Sequence, residues 1–151
     1  MGFQKPKLIQ ANYKDLEPDY KEDGYFSAYN YQPLLESYGF KIIVQEDENS
    51  YQGDSFVLYQ HEELFGILIF GWGSCSGCDA LQACGSPDEV MELRKELFRE
   101  IKWFDKIRKL QEYINSKNRD YSYYGSSSAW DNFKKGVNKE IAVLAKILRS
   151  V

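Results

Sequence analysis

The sequence predicts an α+β fold in which a small antiparallel meander of about three strands packs against C-terminal helices. Two observations support this prediction. Three short runs rich in β-branched and aromatic residues come before position 71, and the connections between them are too short to hold a crossover helix. After position 85, apolar residues recur at spacings of three and four, as on one face of an amphipathic helix.

The length and composition indicate one ordinary globular domain over residues 1–151. Hydrophobic residues make up 43% of the chain and charged residues 28%, which excludes the disordered and membrane-spanning classes. The longest nearly apolar stretch, 64–73, is far shorter than the roughly 20 residues of a membrane span, and no signal segment opens the chain. We therefore expect a soluble, cytoplasmic protein without a membrane partner.

The charge and the aromatic content indicate which classes of partner the chain is expected to bind. A net charge of −4 disfavours nucleic acid as the main partner, because binding to the phosphate backbone depends on many lysines and arginines. Aromatic residues reach 16%, with twelve tyrosines, and such rings suit interfaces and pockets for flat ligands, although they also fill cores. Three cysteines within ten positions favour reduced thiols or metal ligands over a disulfide framework.

The N-terminal half divides into an arm, a short helix and three strands. Residues 1–23 mix charges and prolines without periodicity, which predicts an irregular arm with one short strand at 7–10. Residues 27–38 predict a short helix that ends at Gly39. The three strands are expected at 41–45, 55–60 and 65–70.

The C-terminal half is predicted to be helical. Ser86, Pro87 and Glu89 form a helix start of the capping-box type. The apolar stripe that follows runs to 104, so we interpret 101–105 as a core-facing helix end with Trp103 at its edge. The pattern continues to 114, as a kinked extension or as a second helix. After a loop at 121–128, a last helix covers 130–148, in which Gly136 is a weak position.

A glycine-rich turn at 71–79, GWGSCSGCD, is the strongest candidate for a working site. It leaves a predicted strand and enters a short helical run at 80–84. Ser76 precedes Asp79 by three residues, the spacing of a capping box, and the glycines let the backbone approach a ligand closely. Backbone N–H groups at such a helix start favour a phosphate or carboxylate. The Asp79 carboxylate can satisfy the same donors, so a capped turn without a ligand is the alternative.

The cysteines of this turn suggest two other chemistries. Cys75 and Cys78 form a C-x-x-C after a strand, as in thioredoxin-like enzymes, but the helical remainder of the chain lacks the parallel architecture of those enzymes. Zinc is the alternative cofactor, with Cys75, Cys78 and Cys84 as thiolate ligands and His61, the single histidine, as the fourth. Structural zinc usually joins two separated ligand pairs, and Cys84 also fits a buried thiol. We therefore expect no cofactor.

Residues outside the turn complete the candidate ligand site. Asp54, in the turn-like segment YQGD at 51–54, either caps that turn or holds a ligand hydroxyl. The ring of Trp72, Tyr51 or Trp103 would stack on the base of a nucleotide-like ligand. The candidate ligand-binding residues are Tyr51, Asp54, Trp72, Gly73, Ser74, Ser76, Gly77, Asp79 and Trp103.

The sequence offers little material for catalysis. It contains no paired-carboxylate signature, nucleophile elbow, P-loop or dinucleotide fingerprint. A single histidine in a predicted hairpin turn is a poor basis for a Cys–His or Ser–His arrangement. We therefore expect a protein that is not an enzyme.

Three segments together, YQGD at 51–54, GWGSCSGCDALQAC at 71–84 and IKWFD at 101–105, resemble a group of small uncharacterised bacteriophage proteins. The resemblance covers roughly the middle third of the chain and implies a phage origin and a location in the host cytoplasm. The group offers no established activity to carry over. Phages carry small accessory proteins that counter host defences, some by sequestering nucleotide signals and others by binding a defence protein.

Two hypotheses follow. In the first, the chain binds a small phosphorylated or nucleotide-like molecule at the 71–79 turn without turnover, and forms a homo-oligomer because such sites often lie between subunits. In the second, exposed tyrosines, especially Tyr121, Tyr123 and Tyr124, dock on a host or defence protein. An enzyme or redox protein that uses Cys75 and Cys78 ranks below both.

Overall fold

The computed structural model describes residues 2–16, 31–48, 53–73, 79–116 and 128–149. Its single antiparallel sheet has the strand order β1-β2-β3-β4, formed by Lys41–Asp47, Gly53–His61, Leu64–Trp72 and Lys102–Phe104. The helices α1 to α5 are Tyr13–Leu16, Gln32–Glu36, Pro87–Glu100, Ile107–Ser116 and Ser128–Arg149. The predicted α+β class is confirmed.

Helices cover both faces of the sheet, because side chains alternate along each strand. On the first face, Val57 and Tyr59 of β2 enter a core shared with α2 and α3. On the second face, Phe56 and Leu58 enter a core shared with α4 and α5. The C-terminal helix α5 therefore packs on the sheet as predicted, while α2 and α3 close the opposite face.

The three predicted strands are present, and each extends beyond its predicted bounds. Strands β2 and β3 pair along their whole length, from Gly53 opposite Trp72 to His61 opposite Leu64. A register shift between Ile42 and Val44 interrupts the pairing of β1 with β2. The short connections predicted from the sequence thus join neighbouring antiparallel strands.

The prediction of a helix end at 101–105 is wrong, because the chain turns into strand β4 there. Ile101 leaves α3 in an extended conformation, with φ −64° and ψ 122°. Trp103 pairs with Gly66 and fills the space that a side chain at this glycine would need, since its Cζ3 lies 2.8 Å from an ideal Cβ position. The continuation at Ile107–Ser116 is consequently a second helix, not an extension of α3.

Other predictions for the helices divide into confirmed and wrong. Ser86 caps α3, since its side chain accepts a hydrogen bond from the Glu89 amide, and Gly39 after α2 has a φ of +78°. No strand forms at 7–10 within the described segment 2–16, where Leu16 is fully buried in the first core. Residues 27–30 and 121–127 lie outside the described residues. Among the described helices, none is long and apolar enough to cross a membrane.

Candidate functional site

Two of the three motif segments meet at one end of the sheet. Asp54 pairs with Gly71 and Gly53 pairs with Trp72, so the end of YQGD adjoins the start of the glycine-rich turn. We call this end the turn edge; its described residues are Asp47, Glu48, Gly53, Asp54, Ser55, Gly71, Trp72, Gly73 and Asp79. The structure thus brings four predicted site residues, Asp54, Trp72, Gly73 and Asp79, to this end of the sheet, with Asp54 on the second face and Trp72 on the first. The others at the turn, Tyr51, Ser74, Ser76 and Gly77, lie outside the described residues.

Asp79 joins the two sides of the segment 74–78. Its side chain is 2% exposed, and Oδ2 accepts a hydrogen bond from the Gly73 amide at 2.8 Å. Its Oδ1 accepts from the amides of Leu81 at 2.9 Å and Gln82 at 3.1 Å. The Gln82 side chain adds a second link, because its Nε2 donates to the Gly73 carbonyl oxygen at 2.7 Å. We call Gly73, Asp79 and Gln82 the loop clamp.

The expectation of open backbone donors is wrong for the three amides that the clamp uses. A buried carboxylate is costly unless donors surround it, and the amides of Gly73, Leu81 and Gln82 supply those donors from within the chain. Asp79 itself takes the capping position before the turn at 80–83, where the sequence had suggested Ser76 as the cap. An anion from solution would have to displace this side chain to reach these amides.

Trp72 is held in the first core. Its side chain is 5% exposed, and its indole Nε1 donates to Ser55 Oγ at 2.9 Å. The Ser55 hydroxyl donates in turn to Asp47 Oδ1 at 2.5 Å. Because the ring is buried and its indole N–H is hydrogen-bonded, Trp72 supports the turn edge from the core side. It presents no open ring face on which a nucleotide base could stack.

Two glycines of the turn edge, Gly53 and Gly71, differ in their surroundings. A Cβ at Gly53 would lie 2.8 Å from Glu48 Cβ, so the buried Glu48 packs where only a glycine fits. A Cβ at the exposed Gly71 would lie 3.4 Å from Asp54 Oδ1, an ordinary contact distance. The missing side chain at Gly71 therefore leaves the half-buried Asp54 carboxyl group approachable from this side.

Two predicted residues lie far from the turn. Trp103 sits opposite Gly66, six residues before Trp72 along β3, which places it roughly 20 Å away. It is 7% exposed and packs edge-on against Phe40 in the first core. His61 ends β2 eight residues after Gly53, roughly 27 Å along the strand. It therefore lies far from Gly53, Gly73 and Asp79, the described residues that flank the turn.

Cys84 lies beside the turn edge in an open groove of about 240 Å³ lined by Ala80, Ala83, Cys84, Glu89, Glu92, Leu93 and Glu96. Burial, followed by the negative charges of Glu89, Asp79 and Glu96, raises the pKa of the Cys84 thiol. A protonated thiol is a poor nucleophile and a poor metal ligand. Within the described residues, no group of three or more His, Cys, Asp or Glu side chains is placed to hold a metal ion. Cys75 and Cys78 lie outside those residues.

The turn edge is acidic. Its half-buried carboxyl groups are those of Asp47 and Asp54, while those of Glu48 and Asp79 are buried, and the adjoining positions 49–52 and 74–78 contain no lysine or arginine. Such a surface offers hydrogen-bond acceptors and repels anions. It suits ligand groups that donate hydrogen bonds, such as hydroxyls and amines.

Sequence reasoning missed the residues that organise this edge from a distance. Tyr31 donates to Asp79 although 48 positions separate them, and Ser55 joins Trp72 to Asp47. Ser55 had one signal, its position next to Asp54. Tyr31 had none, since nothing in the spacing of a lone tyrosine indicates a partner so far along the chain.

The fold and the turn edge together define an α+β protein with a glycine-rich turn that its own buried carboxylate closes. Comparison with protein-family models, curated proteins and solved structures finds no match to this chain.

Proposed function

We propose that this chain binds a small nucleotide-like molecule at the turn edge and releases it unchanged, acting in the host cytoplasm as a phage anti-defence protein that sequesters a signal. The observation that supports this most is the pairing of Asp54 with Gly71, which joins two motifs that lie apart in the sequence. Both are parts of the segments that resemble phage proteins. Their meeting at one exposed edge fits a shared binding role.

The chemistry of the edge favours the base and sugar of such a ligand over its phosphates. The carboxyl group of Asp54 is half-buried beside the exposed Gly71 and suits a ribose hydroxyl or an amino group. The amides of Gly73, Leu81 and Gln82 are occupied by Asp79, so they hold no phosphate in this arrangement. We therefore place the donor-bearing part of the ligand at the turn edge and any phosphate away from these amides.

Binding without turnover agrees with the state of the polar groups at this site. Both Asp79 oxygens already accept hydrogen bonds, which makes this carboxylate a structural anchor and a weak candidate for a general base. The Cys84 thiol has a raised pKa, which disfavours nucleophilic attack. The chain's one histidine lies roughly 27 Å from the turn.

Two variants test the proposal without disturbing the core. Gly71→Val covers the Asp54 carboxyl group and fits a strand, since the new Cβ meets only ordinary contacts. Gly85→Val is the matched control, because the new Cβ would meet only a Glu89 oxygen, 4.0 Å away. Native mass spectrometry of protein from phage-infected cells identifies any retained molecule. Calorimetric titration then uses adenosine and adenosine 5′-monophosphate as defined probes.

We expect Gly71→Val to weaken binding of these probes at least about tenfold, which corresponds to about 1.4 kcal/mol, and Gly85→Val to leave it unchanged. Adenosine should bind at least as well as its monophosphate, because the edge is acidic. If the unmodified chain retains no small molecule and binds neither probe, the proposal fails. Equal binding by both valine variants would place the ligand elsewhere.

A protein-binding inhibitor is the second candidate, and the groove beside the turn favours it. Three glutamates, Glu89, Glu92 and Glu96, line the groove around an apolar floor that includes Leu93. This arrangement suits a partner segment with lysine or arginine side chains. The tyrosines expected to dock, Tyr121, Tyr123 and Tyr124, lie outside the described residues. Copurification of a host protein in place of a small molecule would favour this candidate.

A further inference from the structure

The loop clamp has a fourth member that comes from another part of the chain. The Tyr31 hydroxyl donates to Asp79 Oδ1 at 2.6 Å and accepts a hydrogen bond from the Leu81 amide at 3.2 Å. Tyr31 is 1% exposed, and its ring lies 4.9 Å from that of Phe70 on β3. Of the donors to Asp79 among the described residues, this hydroxyl is the one that does not belong to the turn region itself.

The position of Tyr31 is set by elements outside the turn region. Tyr31 directly precedes α2, and the residues after α2 are bound to Arg94 of α3 by buried and partly buried hydrogen bonds. Arg94 Nε donates to Ser37 Oγ at 2.7 Å, and the Tyr38 hydroxyl donates to the Arg94 carbonyl oxygen at 2.7 Å. The position of the Tyr31 hydroxyl therefore follows the packing of α2 on α3, not the conformation of the turn.

The Tyr31 hydroxyl also keeps its proton well above neutral pH, so it remains a hydrogen-bond donor. Burial, and then the hydrogen bond to Asp79, raise the pKa of Tyr31 well above its ordinary value. A hydrogen bond from a hydroxyl to an ionised carboxylate is short and strong compared with one between neutral groups. Asp79 thus has one contact that fixes its orientation and three that pass this orientation to the backbone of the turn.

We propose that Tyr31 is a positioning residue of the turn edge: its hydroxyl orients the Asp79 carboxylate, which in turn sets where Gly73 lies relative to Leu81 and Gln82. The proposal rests on the proposed function in one respect, namely that this edge binds the ligand. Tyr31 acts through Asp79 and does not itself touch the ligand, since its side chain is buried.

Backbone amide hydrogen exchange on the full chain tests the role without any ligand. Tyr31→Phe removes the hydroxyl and keeps the ring against Phe70. Tyr59→Phe is the matched control, because Tyr59 is equally buried and donates to the Leu35 carbonyl oxygen at 2.9 Å, away from the turn edge. We expect exchange at Gly73, relative to exchange in the middle of β2 in the same protein, to be at least about tenfold faster in Tyr31→Phe only. Because exchange in the middle of β2 follows the global stability of each variant, this comparison separates a local effect at Gly73 from general destabilisation. Equal exchange at Gly73 in the three proteins would overturn the proposal.

Titration with adenosine 5′-monophosphate separates this proposal from the proposed function. We expect Tyr31→Phe to weaken binding of this probe about fivefold or more, and Tyr59→Phe to change it less than twofold. Unchanged affinity in Tyr31→Phe would overturn the positioning role at the site. Lack of binding to the unmodified chain counts against the proposed function alone, and exchange at Gly73 still decides whether Tyr31 orients the turn.

Discussion

At the scale of single residues, buried polar side chains fix this fold by making specific hydrogen bonds across it. The hydroxyls of Tyr31, Tyr38 and Tyr59 are all buried, and each donates to an oxygen in a different part of the chain: Asp79 Oδ1, the Arg94 carbonyl and the Leu35 carbonyl. A buried donor without a partner costs about 1–3 kcal/mol, so these bonds disfavour other packings of α2. These three of the twelve tyrosines therefore serve the interior of the protein.

Because of these three tyrosines, we expect the free energy of unfolding to fall at alkaline pH. Burial raises the pKa of Tyr31, Tyr38 and Tyr59 well above the ordinary value of 10.0, while in the unfolded chain they ionise near that value. Their contribution is therefore complete below about pH 10 and is lost as the pH rises further. Each such group lowers the free energy of unfolding by about 1.4 kcal/mol per pH unit in this range. Urea unfolding between pH 8 and 11 measures the slope.

Tyr59→Phe supplies the control for this pH dependence. The variant lacks one of the three hydroxyls, so its stability should fall less steeply above pH 10 than that of the unmodified chain. It should also be about 1 kcal/mol less stable at pH 8, because the Leu35 carbonyl oxygen loses its hydrogen bond. A free energy of unfolding that stays constant from pH 9 to 11 would contradict the assignment.

At the scale of elements, local signals predicted well and long-range pairing did not. The capping residues of α3 and the β-rich runs lie next to the structures that they specify, so Ser86 and the first three strands were predictable. Strand β4 was not, because Ile101 and Phe104 also fit a helical stripe. Its strand conformation depends on pairing with Phe65–Ile67, far away in the sequence. For the same reason, the sequence left two interpretations of the glycine-rich turn: backbone donors that are open to a ligand, or donors that are capped by Asp79.

Gly136 shows how packing reverses a propensity argument. In a helix, glycine is about 1 kcal/mol less favourable than alanine, which by itself predicts that Gly136→Ala stabilises α5. In the structure, an ideal Cβ at Gly136 would lie 2.9 Å from Val44 Cγ1 on β1. Overpacking against a stiff β-branched side chain costs about 1–3 kcal/mol, so the net effect should be destabilising by up to about 2 kcal/mol.

Thermal and urea unfolding of Gly136→Ala measure that balance. The double variant Gly136→Ala with Val44→Ala is the control, since it removes the methyl groups that the new Cβ meets. The helix-propensity gain should then partly reappear relative to Val44→Ala alone. A single Gly136→Ala variant that is more stable than the unmodified chain would show that α5 shifts away from β1 at little cost.

At the scale of the whole molecule, one sheet separates two cores that depend on each other. Adjacent residues of β2 point to opposite faces, so Phe56 packs with α5 while Val57 packs with α2 and α3. Loss of either helical layer exposes one side of every central strand to water. The two cores are therefore expected to unfold together, as one domain, and the turn edge belongs to the same cooperative unit through Trp72.

The three tryptophans allow this cooperativity to be measured. Trp72 and Trp103 lie in the first core and Trp130 in the second. A variant with Trp72→Phe and Trp103→Phe reports on the second core by fluorescence, and Trp130→Phe reports on the first. For each variant, urea unfolding followed by fluorescence should coincide with unfolding followed by far-ultraviolet circular dichroism. Since each curve is compared within one variant, differences in stability between variants do not affect the test.

A fluorescence midpoint that departs from the circular dichroism midpoint would mean that one helical layer separates first. In that case the turn edge, which packs on the first core, would have a stability independent of α5.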